Sequence, residues 1–205
     1  MLESLVQIGI LTPVVVRVPG VASAWEQWAD YSDIARIAEA ADGLGFDYLT
    51  CSEHVAVDID VAVERGATYW DPLATLAFLA GRTTQIRLAT SVFVLGYHHP
   101  LALAKRYGTL DRVSNGRLIL GVGIGSLLSE FDLLGASWTD RGERADDALR
   151  ALRAALSTSR PSYHGDYYRF DSVVVDPCAV QPHVPIWVGG RTERSLRRAV
   201  DSAEG

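Results

Sequence analysis

Three short runs in this chain carry residues that can do chemistry. The first is Ser52-Glu53-His54, which directly follows the strand-like run Phe46-Asp47-Tyr48-Leu49-Thr50-Cys51. An imidazole exchanges a proton near neutral pH and can donate or accept a hydrogen bond. That suits His54 to a redox step needing an acid or a base; the structural alternative is a loop histidine bonded to nearby backbone. Glu53 reads as a solvated or structural acid. The second run is Gly189-Gly190-Arg191-Thr192, where an apolar strand gives way to a helix. Backbone N–H groups, a helix N-terminus and a threonine hydroxyl converge there as a phosphate requires, with Arg191 adding charge. A tight turn or a plain helix cap explains the same residues structurally. The third is Gly123 and Gly125, which close the strand Arg117–Gly123 ahead of Ser126. Glycines at the carboxyl end of a parallel strand let a flat or anionic ligand approach the backbone, or they simply relieve crowding.

Alternating strands and helices must position these runs. Val6–Leu11 is a first strand, ended by Thr12-Pro13. Ser32 is the expected N-cap of a helix with Ile34, Ile37, Ala38, Ala41 and Leu44 on one face, closed by Gly45. Asp71-Pro72 opens a second helix, since proline at the first helical position loses no needed N–H. Ile86–Val92 is the third strand, Pro100 starts the next helix and Arg117–Gly123 is the fourth strand. Thr139 caps a helix carrying Ala145, Ala148, Leu149, Leu152 and Leu156. Residues 162–170 read as an aromatic β-hairpin, Pro185–Val188 as a fifth strand, and Thr192 as the cap of the last helix. Five βα units in one register imply a parallel α/β sheet in a single domain over residues 1–205.

The bulk properties exclude other classes. The 205 residues are 48% hydrophobic and 21% charged, ordinary for a globular domain. No apolar run reaches the length of a membrane span. A net charge of -6 and a single lysine, Lys105, argue against nucleic-acid and acidic-membrane partners. The opening MLESLVQIGIL has no basic n-region and reads as the approach to the first strand rather than a signal peptide. Cys51 and Cys178 form neither a disulfide framework nor a metal motif, so a reduced, cytoplasmic protein is expected. Glu53-His54 lacks the HxH or acid partners of a metal-dependent hydrolase. GVGIGS lacks the third glycine of a dinucleotide fingerprint and follows the fourth strand rather than the first. No metal is expected.

Linked phrases along the whole chain resemble the luciferase-like monooxygenase superfamily of flavin- and deazaflavin-dependent (β/α)8 barrels. They are LGFDYLTCSEHV, YWDPLATLAFLAGRT, IRLATSVFVLGYHHPLALAKRYGTLDRVSNGRLILGVGIG, EFDLLGASWTDRGER and VPIWVGG. Their flavour is closest to members using coenzyme F420, while FMN-dependent relatives share most of them. The resemblance implies a TIM barrel that holds the ring against a strand-end bulge at Ser91-Val92, often with a non-proline cis peptide. It also implies His54 near the hydride-carrying atom, cofactor contact at Gly123 and Gly125, and a phosphate seat at Gly189, Gly190, Arg191 and Thr192. The implied activity is hydride transfer between F420 and a small organic substrate. An FMN-dependent monooxygenase and a non-catalytic flavin-binding relative are the alternatives, and a homodimer is the assembly common in the superfamily. The chain departs from the sugar-phosphate dehydrogenases of the family: Ser126 stands where they carry an acid, and Asp58 falls at about the place of a tryptophan. Their activity is therefore not carried over. An eight-stranded barrel takes roughly 250 residues, so the expectation is a barrel truncated after its fifth βα unit; a natural short form closed by dimerisation is the alternative.

Overall fold

The computed structural model describes residues 6–205; residues 1–5, read as the approach to the first strand, lie outside the described residues. The chain forms β1 (Gly9–Leu11), β2 (Val16–Arg17), α1 (Tyr31–Leu44), β3 (Tyr48–Cys51), α2 (Ile59–Arg65), β4 (Thr68–Tyr69), α3 (Pro72–Ala80), β5 (Arg87–Thr90) and β6 (Phe93–Val94). It continues through α4 (Pro100–Val113), β7 (Leu118–Gly123), α5 (Leu128–Leu133), α6 (Arg141–Leu156), β8 (Tyr163–His164), β9 (Arg169–Phe170), β10 (Ile186–Val188) and α7 (Glu193–Ser202). The sheet order β1-β3-β5-β7-β10 follows the chain, and every pairing in it is parallel. Sequential order fits a sheet rolling in one direction, whereas a doubly wound sheet reverses. The roll is visible in side chains: the rings of Tyr48 on β3 and Trp187 on β10 meet edge to face at 5.1 Å although two strands lie between them. Glu204 and Gly205 bond to Ile186 and Val188 along the outer edge of β10. The architecture is thus α/β with a curled parallel sheet.

Burial explains the strand sequences. All six residues of β7 are buried, so its pattern is a continuous apolar run rather than an alternation. The core joins Leu49, Leu88, Leu118, Leu120 and Ile186 of the sheet to Ile34 and Ala38, Leu76 and Leu79, Leu103 and Leu110, and Leu149 and Leu152 of the flanking helices. Two expected caps move by one or two residues. Asp30, not Ser32, caps α1, because its carboxylate accepts Ser32 N at 2.7 Å while Asp33 reaches back to Asp30 N at 3.0 Å. Asp140, not Thr139, stands at the N-cap of α6.

One acid fixes the start of β5. Asp42, at the end of α1, accepts Thr84 N (2.7 Å), Thr84 Oγ1 (3.0 Å), Gln85 N (2.8 Å) and Ile86 N (2.6 Å). Burial alone raises its pKa, but these donors outweigh it and hold the carboxyl below its ordinary value. A carboxyl depressed in the folded state stabilises the fold above its unfolded pKa of about 3.9 and loses that contribution as pH falls through the folded value. Asp42→Ala should therefore cost about 1–2 kcal/mol in urea unfolding at neutral pH. The gap to wild type should shrink in titrations well below about pH 3.9; a gap that stays constant with pH would assign the loss to something other than the carboxylate.

Candidate functional site

The carboxyl ends of β3, β5, β7 and β10 open on one side of the sheet, and the sequence-predicted residues gather there. A cis peptide joins Ser91 to Val92 immediately after β5. Pairing resumes at β6 with one extra residue on this strand: from Ala89 to Phe93 it advances four residues while β7 advances three, from Ile119 to Val122. That is a bulge. Neighbouring backbone ties it down, because Ser91 N donates to Cys51 O (2.9 Å), Ser52 Oγ to Ser91 O (2.7 Å) and Glu53 N to Val92 O (3.2 Å). Ser91 is exposed and Val92 half-buried.

The Val92 side chain fills the space left by two glycines. A Cβ on Gly123 would lie 2.7 Å from Val92 Cγ2, and one on Gly189 would lie 2.9 Å from Val92 Cγ1. At Gly125 a Cβ would lie 2.4 Å from the Phe131 ring. The missing side chains at Gly123 and Gly125 thus make room for Val92 and Phe131. The protein's own packing requires glycine at both positions.

His54 is held by a residue that the sequence reading did not single out. Its Nδ1 lies 2.8 Å from Glu130 Oε2 on α5, and the same oxygen accepts Tyr97 Oη at 2.8 Å. Glu130 Oε1 accepts Val55 N (2.6 Å) and Ala56 N (3.2 Å). The Glu130 side chain is fully buried and that of His54 is 17% exposed. Burial by itself pushes the Glu130 carboxyl up, but the donors from His54, Tyr97, Val55 and Ala56 prevail and hold it below the ordinary carboxylate range. Burial, and then the same carboxylate, push the Tyr97 phenol well above its usual value. Edge-to-face packing on Tyr69, at 4.5 Å between centroids, fixes the other side of the His54 ring. Arg65 Nη1 reaches from the end of α2 to Ser126 Oγ at 3.0 Å, linking the loop after β3 to the turn after β7. In the sequence Glu130 opens the phrase EFDLLGASWTDRGER and is an acid set among Leu127, Leu128 and Phe131, with nothing local to tie it to His54.

Glu53 is a structural acid and is buried rather than solvated. Its Oε2 accepts Val94 N at 2.7 Å and its Oε1 meets the His98 ring at 2.7 Å. His99 caps α4 through Leu101 N. Burial pushes the Cys51 thiol up to about 12, so it stays protonated and offers no nucleophile.

At the end of β10, Gly189 N donates to Val122 O at 2.8 Å and so belongs to the sheet. Thr192 caps α7 by accepting Ser195 N at 3.2 Å, which commits its hydroxyl to the helix. The remaining donors are the N–H groups of Gly190 and Arg191, which have no partner among the described residues, with the N-terminus of the ten-residue α7 beside them. Gly190 has φ 152°, and a Cβ there would lie 2.5 Å from Ser195 Cβ. Ser195 packs where a side chain at 190 would stand, so the turn requires glycine.

Residues 6–205 match the family model for luciferase-like monooxygenases. The chain belongs to that family. Among luciferase-like proteins it is 31% identical over 199 residues to an F420-dependent glucose-6-phosphate dehydrogenase of Nakamurella multipartita, covering 95% of this chain and 56% of that one. It is 27% identical over 175 residues to the oxygenase component of a flavin-dependent trigonelline monooxygenase of Acinetobacter baylyi, covering 84% and 46%. The crystal structure of the monooxygenase RslO1 from Streptomyces bottropensis superposes with a TM-score of 0.75 at 32% identity, covering 94% and 56%. This luciferase-like chain spans 65% of the length of some of the curated relatives it matches and 46% of the trigonelline monooxygenase component. Relatives of both cofactor types are present, and the family is one of oxidoreductases and monooxygenases.

Proposed function

We propose that this protein is an F420-dependent oxidoreductase acting on a small organic substrate, built on a luciferase-type (β/α)8 barrel of which these residues form the first five βα units. A bound deazaflavin supplies hydride chemistry at its ring. This chain's residues supply the rest. The bulge at Ser91 and Val92 backs the ring, Gly190 and Arg191 with the N-terminus of α7 receive a phosphate, and His54 stands at the mouth with Nε2 free of partners among the described residues. The fit of a phosphate-bearing cofactor rests on the Gly190 and Arg191 N–H groups, which have no partner among the described residues, beside the N-terminus of α7. The observation that carries the oxidoreductase reading is His54 itself: a partly open imidazole held by a buried carboxylate is a proton-handling group, and two-electron oxidation or reduction of an organic substrate moves a proton with the hydride.

The likeness to the monooxygenase RslO1 and to the flavin-dependent trigonelline monooxygenase favours a second reading, a flavin-dependent monooxygenase with FMN as its proposed cofactor. Fluorescence titration of the chain with F420 and, separately, with FMN decides between them. Saturable binding of F420 with weaker FMN binding is the expected result. A preference for FMN would transfer the proposal to the monooxygenase, and binding of neither would overturn both readings for this chain.

A further inference from the structure

We infer that Glu130 is a positioning residue that fixes His54 as the Nδ1–H tautomer and so presents an unprotonated Nε2, a proton acceptor, to the mouth of the site. The inference deepens the oxidoreductase reading and rests on it for its functional meaning. The geometry beneath it is independent of any cofactor.

A neutral imidazole carries one N–H, and the partner of one ring nitrogen decides which. His54 Nδ1 faces Glu130 Oε2 at 2.8 Å, while its Nε2 has no partner among the described residues. The carboxylate must act as an acceptor. Val55 N–H and Ala56 N–H occupy Oε1, and neither can take a proton from it. Tyr97 Oη, the other neighbour of Oε2, donates to that oxygen. Three donors besides His54 already serve the two carboxylate oxygens, and a fully buried acid so provided stays ionised. The proton between His54 and Glu130 then resides on Nδ1. With Tyr69 packed edge-on against the ring, imidazole orientation is fixed as well as tautomer. Oxidation of a substrate bearing an acidic X–H next to its hydride-donating carbon balances as one hydride to the cofactor ring and one proton to His54 Nε2. Reduction of the corresponding C=X group is the reverse, starting from His54 protonated at both nitrogens. Glu130 touches neither substrate nor cofactor in this account; it acts through His54.

A buried acid could instead be only a staple between the loop after β3 and α5, and the test separates the two roles. Ring 15N NMR of histidine-labelled protein, with His54→Gln to assign the signal, reads the tautomer without cofactor or substrate. Wild type should show Nδ1–H and bare Nε2. In Glu130→Gln the amide oxygen is retained by Val55 and Ala56 N–H, so the NH2 group turns toward His54, Nδ1 becomes an acceptor and the proton moves to Nε2. The same substitution should leave F420 and FMN affinity within about twofold while removing roughly 100-fold or more from turnover, the scale of a lost general base. An Nε2–H tautomer in wild type overturns the inference, as does an unchanged tautomer in a folded Glu130→Gln. If Glu130→Gln fails to fold, the wild-type tautomer still decides. Failure of the cofactor titration would remove the oxidoreductase reading but leave the tautomer result standing, so the two failures are distinguishable.

Discussion

Gly121→Ala is expected to unfold at a temperature roughly 6–12 °C below wild type, a loss of about 3 kcal/mol or more. The Cβ would lie 2.0 Å from Thr90 O and 3.0 Å from Thr90 C, and both atoms are backbone. A clashing side-chain tip can swing aside; a backbone carbonyl moves only with its strand. Thr90 is pinned from the other direction, because its Oγ1 donates to Gly121 O at 2.8 Å. Here β5 leaves its regular pairing with β7, which ends at Ala89 and Ile119, and crowds across it before β6 resumes. Relief of the clash must therefore shift the Ser91-Val92 bulge, and cofactor affinity should fall along with stability. Gly43→Ala is the control within the same experiment. Its Cβ meets nothing within 4 Å inside α1, so the exchange should be neutral or stabilising by up to about 1 kcal/mol. If the two variants melt alike, the close approach of β5 to β7 is not what holds this region.

The same crowding shows which parts of the molecule the sequence could disclose. Elements that bury a face against the sheet announce themselves by period and cap: Pro72 and Pro100 begin α3 and α4 at the expected residues, and Thr192 caps α7. The pieces built into the loops after the strands do not. Helix α2 buries none of its residues, so it has no apolar stripe to read. Strands β2 and β4 contribute two residues each and pair with one another across the loops after β1 and β3. A two-residue strand has no alternation.

The candidate site divides along the same line. His54 and the glycine turn at 189–190 were visible because local spacing places them at strand ends. The restraint on His54 was invisible because Glu130 lies 76 residues away on a six-residue helix and is recruited only when the sheet curls. What packs around Gly123 and Gly125 was hidden for a related reason. A glycine in sequence marks an absence, and only packing shows that Val92 and Phe131 occupy it. At the proposed phosphate seat the structure leaves fewer donors than the sequence suggests, since Gly189 N–H serves the sheet and the Thr192 hydroxyl serves the helix.

That reduced donor set makes a quantitative test of the seat possible. A phosphate received by Gly190 and Arg191 N–H at the N-terminus of α7 gains charge-assisted hydrogen bonds worth about 2 kcal/mol, or ~30-fold in affinity. Wild type should therefore bind FMN ~30-fold more tightly than riboflavin, and F420 more tightly than its phosphate-free deazaflavin by a similar factor. Gly190→Ala should erase that ratio. Its Cβ would lie 2.5 Å from Ser195 Cβ, and φ 152° is a conformation that alanine rarely adopts, so the turn must rotate its N–H groups away. The ring's own affinity, read from riboflavin or the phosphate-free deazaflavin, should change by less than about threefold, because the bulge at Ser91-Val92 that is proposed to back the ring lies on a different strand. The ratio isolates the phosphate from every other contact. A wild-type ratio near one would move the phosphate away from α7. A ratio that survives Gly190→Ala would assign it to donors other than this turn, with the Arg191 side chain the first to replace.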